Sequence, residues 1–242
     1  MAASEVTAAG FTTAVPRAGT IGEGDGNGIF IGIASGGGTS YAFQCGEPTW
    51  FWVDLSANTK LIDGNFNSVT ATPTVGGASQ CAFAGITGYI ALSKVMPIAK
   101  IGQGNYVTVF SVNANERLFI LSNISYFGGS GNPINSTTSL GLSPNQAYAI
   151  DSKIDDGLPQ SGRVTARYTN WVAGMTNRLA WASGGGVEGA STGGAGHAAT
   201  TAATPASDTT CYDNGNVVGT QKYSVGTNGG NGLNCALSFK FQ

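Results

Sequence analysis

The chain has 242 residues, 10% of them charged, with 38 glycines and a net charge of −2. A typical soluble protein carries roughly 25% charge and ~7% glycine, so solubility here rests on hydroxyls and amides rather than on ions. The length supports a real core in one large domain or two small ones. The lack of clustered Lys and Arg argues against binding along a phosphate backbone, and so against nucleic acid.

Residues 1–28 are rich in Gly, Ala and Thr and read as irregular. "GIFIGIASG" reads as a short strand. "EPTWFWVDLSANTKLIDG" reads as a helix from about Pro48, with Trp50, Val53 and Ala57 on one face. Pro48 suits its first turn and Gly64 a stop beyond its end.

"SVTATPTV", "GYIALSKV", "NYVTVFSV" and "ERLFILSNISYF" follow. Their β-branched and aromatic residues, broken by Gly, Asn and Pro, predict strands of an antiparallel sheet. "VNANE" predicts the hairpin turn between the last two.

"GLSPNQAYAIDSKIDDGLPQSGRV", residues 141–164, carries the best-marked helix. Ser143 is an N-cap, Pro144 takes the first helical position, and Gln146 completes a capping box. Ala147, Ile150 and Ile154 form the expected apolar stripe. Gly157 and Pro159 stop the helix. Residues 183–209 are low in complexity and nearly uncharged, and read as a loop or insertion. "CYDNGNVVGTQKYSV" reads as a turn-rich loop. "NCALSFKFQ" closes the chain as a strand with one buried face, Leu237, Phe239 and Phe241 alternating with Ala236, Ser238 and Lys240.

Cys45, Cys81, Cys211 and Cys235 form no CxxC pair, and there is one histidine, so a zinc site is poorly supported. Two disulfides in an oxidising compartment are the expectation. Three pairings exist. The nearest-neighbour one, Cys45–Cys81 and Cys211–Cys235, is preferred, each bond contributing about 3–4 kcal/mol. No apolar run approaches the ~20 residues of a membrane span, and no signal peptide is visible. An oxidised protein is exported, so the chain is expected to start downstream of its native N-terminus.

Four groups invite a chemical reading. Gly189-Ala-Ser-Thr-Gly193 matches a nucleophile elbow, but that motif needs a strand–turn–helix context. Here it lies in low-complexity sequence, with His197 as the only base, so catalysis by Ser191 and His197 is a remote reading and no enzyme is expected. Glu23, Asp25 and Asn27, followed by Gly28, imitate the first half of a calcium loop. The acid that closes such a loop would fall on Ala34. Asp155 and Asp156 sit at a helix C-terminus, where the macrodipole disfavours acids. Their expected holders are Arg163, Lys153, a cation or a neighbouring subunit. As adjacent helical residues they should point about 100° apart, which argues against a catalytic pair. Asp151 and Lys153, with Ser143, Gln146, Gly157 and Arg163, are assigned to the structure of the helix and turn. Trp50, Phe51 and Trp52 are expected to pack at least partly in the core, with a sugar-binding surface as the other reading.

Five patches in order, "AGTIGEGDGNGIF", "TWFWVDLSANTKLIDGNF", "MPIAKIGQGNYVTVFS", "LSPNQAYAIDSKIDDGLPQSGRV" and "NCALSFKF", resemble the soluble region of bacterial prepilin-type proteins. These are the pilins and pseudopilins of type IV pili and type II secretion. "IDSKIDDGLPQSG" is the most specific patch. The insertion at 183–209 matches nothing in that family.

The resemblance implies an α+β head of antiparallel sheet, two or three helices, long loops and two disulfides. It also implies a C-terminal loop closed by a disulfide, which Cys211 and Cys235 fit. Residues 1–242 would be one such head. The family's cleavage site is imitated by Gly10-Phe11-Thr12, but no apolar helix follows, so that match is read as chance. Membrane attachment would come only through an N-terminal helix outside these residues. Secretion pseudopilins similar to this often bind calcium, which favours Asp25/Asn27 and Asp155/Asp156 as ligands without choosing between them. No other cofactor is implied. The expected role is that of a filament subunit at the periplasm or cell surface. Its partners would be copies of itself, related pilins and the assembly machinery. The other reading is a surface- or carbohydrate-binding module at a pilus tip.

Overall fold

Two runs of β-branched and aromatic residues joined by Asn-rich sequence form the central hairpin. In the computed structural model, β3 (Asn105–Asn113) and β4 (Glu116–Asn123) pair antiparallel, from Asn105 opposite Asn123 to Asn113 opposite Glu116, with a bulge between Ser111 and Asn113. The structure describes residues 29–30, 32–33, 39–40, 47–58, 60–64, 66, 92–113, 115–127, 133–134, 139–169, 179–182, 206–213 and 221–241. Outside them lie Asp25, Asn27, Cys45, Cys81, Ser191, His197, the strand expected in "SVTATPTV" and residues 183–205 of the insertion. Residues 206–209 end in a turn, where the Ser207 N–H donates to Thr210 Oγ1 at 2.9 Å.

The hairpin belongs to a four-stranded antiparallel sheet of order β3-β4-β12-β7, where β12 is Leu237–Lys240 and β7 is Val164–Thr165. The one-face burial expected of the last strand does not hold. β12 is an inner strand flanked by β4 and β7, and Leu237 and Ser238, successive residues that face opposite sides of the sheet, are both fully buried. Ser238 Oγ meets its polar requirement with Thr165 Oγ1 at 2.7 Å, as a buried hydroxyl must.

Among the described residues the other strands form four two-stranded ribbons: β1 (Gly32–Ile33) with β2 (Thr39–Ser40), and β5 (Tyr126–Phe127) with β6 (Pro133–Ile134). The other two are β8 (Arg167–Thr169) with β9 (Leu179–Trp181), and β10 (Tyr212–Asp213) with β11 (Lys222–Tyr223). The turn-rich reading of "CYDNGNVVGTQKYSV" therefore missed the β10–β11 ribbon. "ERLFILSNISYF" is two strands, because after Asn123 the chain turns to a new partner. The Asn123 N–H donates to Leu140 O and the Ile124 N–H to Gly104 O. Of the strand expected in "GYIALSKV", residues 88–91 lie outside the described residues, and Leu92–Val95 form a turn, where the Val95 and Met96 N–H groups both donate to Leu92 O. Leu92, Val95 and Met96 are buried, so the apolar run reports burial, which a turn satisfies as well as a strand does.

Among the described residues two α-helices flank the sheet. α1 (Glu47–Val53) continues as a wider π turn over Asp54–Asn58. There the Ser56 hydroxyl donates to Trp52 O at 2.9 Å, a side-chain bond that competes with the regular helical ladder. α2 (Pro144–Ile154) is the helix predicted from residues 141–164. The architecture is thus α+β, built of antiparallel sheet and few helices. The core gathers in two clusters: Trp52, Phe66, Leu92, Met96, Tyr106 and Val109 are buried on the α1 side, while Phe110, Leu118, Ile120, Leu142, Ala147 and Leu237 are buried on the α2 side. Among the described residues one disulfide joins Cys211 to Cys235, both fully buried.

Candidate functional site: the acidic turn after α2

α2 begins as its sequence dictates. Ser143 is extended at φ −78, ψ 157, its Oγ accepts from the Gln146 N–H, and Gln146 Oε1 accepts from the Ser143 N–H at 2.9 Å. Leu142, just ahead, exchanges two main-chain hydrogen bonds with Cys235. The disulfide-closed loop is thereby joined to the chain one residue ahead of the capping box.

The buried face of α2 is not the predicted stripe. Ala147 is fully buried, but Ile150 is half-buried and Ile154 is 60% exposed. The buried position one turn beyond Ala147 is taken by Asp151, at 0% exposure. A carboxyl group out of water needs donors, and it has two. The Tyr223 hydroxyl of β11 donates to Oδ2 at 2.8 Å, and the Gly157 N–H donates to Oδ1 at 3.1 Å. Burial nevertheless raises Asp151 from 3.8 to about 6. The two hydrogen bonds pull against that shift, and the charges of Asp156 and Asp155 add to it. The Tyr223 hydroxyl is pushed upward by its own burial and by the carboxylate beside it. Asp151 thereby ties helix, turn and disulfide loop together. Gln160 adds a second tie, its Nε2 donating to the Tyr212 hydroxyl at 2.7 Å.

Asp155 and Asp156 do not diverge as helical neighbours would. The helix ends at Ile154, and Asp155 is already non-helical at φ −143, ψ −132. The 100° rule therefore lapses, and one carboxylate oxygen from each of Asp151, Asp155 and Asp156 lies within 4.8 Å of the others. Asp155 Oδ2 accepts from the Arg163 and Val164 main-chain N–H groups, the latter at 3.0 Å. Arg163 thus holds Asp155 through its main chain. Asp156 Oδ1 accepts from the Leu158 N–H at 2.8 Å and Oδ2 from the Ser161 hydroxyl at 2.6 Å. Gly157 and Gly162, both at φ +74, let the chain fold back over these acids. Lys153 is exposed.

Three carboxylates are the hard oxygen donors that calcium takes, so the cluster fits a cation in kind. However, five of its six carboxylate oxygens already accept hydrogen bonds from the chain. Those hydrogen bonds by themselves close the turn. Its chemistry is proton affinity and charge held by amides.

The sugar-binding reading of the tryptophans loses one ring. Trp52 is 6% exposed and packs against Phe51, Phe66 and Phe119; the side chain of Trp50 lies outside the described residues. Tyr223 had no signal in the sequence. Asp151 had one, since a helical position four after buried Ala147 falls on the same face.

No family model, no curated protein and no solved structure matches the chain.

Proposed function

We propose that the protein is a filament subunit of the prepilin type, the head of a pilin or pseudopilin, with no catalytic step of its own. The observation that supports this reading is the union of two stretches that carry the resemblance. The helix and acidic turn of residues 143–164 are clasped by the loop that the Cys211–Cys235 disulfide closes. Both lie against an antiparallel sheet with the resembling "NCALSFKF" as one of its two inner strands.

The head would stack into a helical fibre through heterologous contacts between copies. It would act at the periplasm or cell surface, with an N-terminal apolar helix supplying membrane anchorage before assembly. Its partners are other copies, related pilins and the assembly machinery; nucleic acid is not among them. In this role Asp151, Asp155 and Asp156 fix the head's shape, and a calcium ion, if held there, would reinforce the same turn.

The test is made in the native host. The reading frame upstream of Met1 is expected to encode a cleavage tripeptide followed by about 20 apolar residues. An antibody to the head is expected to decorate sheared surface fibres or a periplasmic filament. A frame without that segment, or a head recovered only as free monomer from cells that make fibres, would overturn the proposal.

A further inference from the structure

We draw no further inference here: the strongest candidate, the exposed apolar surface that Tyr148, Ile154 and Leu158 present on α2 and its acidic turn, carries nothing because nothing in the structure shows what covers it.

Discussion

The two ends of α2 are built in opposite ways. At the N-terminus, Ser143 and Gln146 satisfy each other's main-chain N–H groups within four residues. At the C-terminus, Asp151 reaches Tyr223, 72 residues away, and Asp155 reaches the Arg163 and Val164 amides. One end is a local device that an isolated peptide could form. The other exists only when the disulfide loop and β7 are in place. A helix end rich in acid is therefore no sign of active chemistry by itself. It shows that the fold must bring donors to it.

The largest effect should come from removing the clasp. Replacing Cys211 and Cys235 together by serine is expected to cost about 3–4 kcal/mol in urea unfolding. It should also speed amide exchange at Gly157 more than at Gln146. Equal acceleration at both sites would erase the distinction between the two ends.

A smaller shift should appear on changing pH. Asp151 binds its proton more tightly folded than unfolded, with about 6 against 3.8. Between those values the folded state holds more protons, so the contribution of Asp151 to stability falls as pH rises through roughly 4 to 6 and is level on either side. Asp151→Asn should flatten this window. Tyr223→Phe should extend it to higher pH, because the lost hydroxyl had favoured the ionised form. A wild-type profile already flat between pH 4 and 6 would show that the carboxyl is not buried as described.

Glycine substitutions probe the turn more gently. An added Cβ at Gly162, at φ +74, would collide with the Asp155 carboxylate. Gly162→Ala is expected to cost about 2 kcal/mol. Gly226→Ala, whose Cβ would meet nothing within 4 Å, should be near neutral in the same thermal melts. The smallest effect belongs to the local end. Ser143→Ala should cost about 1 kcal/mol and leave the pH profile unchanged, since no atom of the capping box touches Asp151.

The central hairpin was legible because alternation and an Asn-rich turn act over a few residues. The last strand was legible as a strand, but not as an inner one: its neighbour β7 is 73 residues away at the Thr165–Ser238 contact. The Leu92–Val95 turn passed for a strand because an apolar run records burial and not conformation. The β10–β11 ribbon, two residues on each side, is too short to leave a period.

For the candidate site the division is the same. From sequence alone came the helix, its capping box, its glycine stop and the oddity of acids at its end, since each depends on neighbours along the chain. Only the tertiary structure could decide that Asp151 is the buried group and that Tyr223 is its partner. It also turned Asp155 and Asp156 toward one another, once the chain had left the helix. Those are facts of distance between segments remote in sequence, and desolvation and hydrogen bonding act on distance in space.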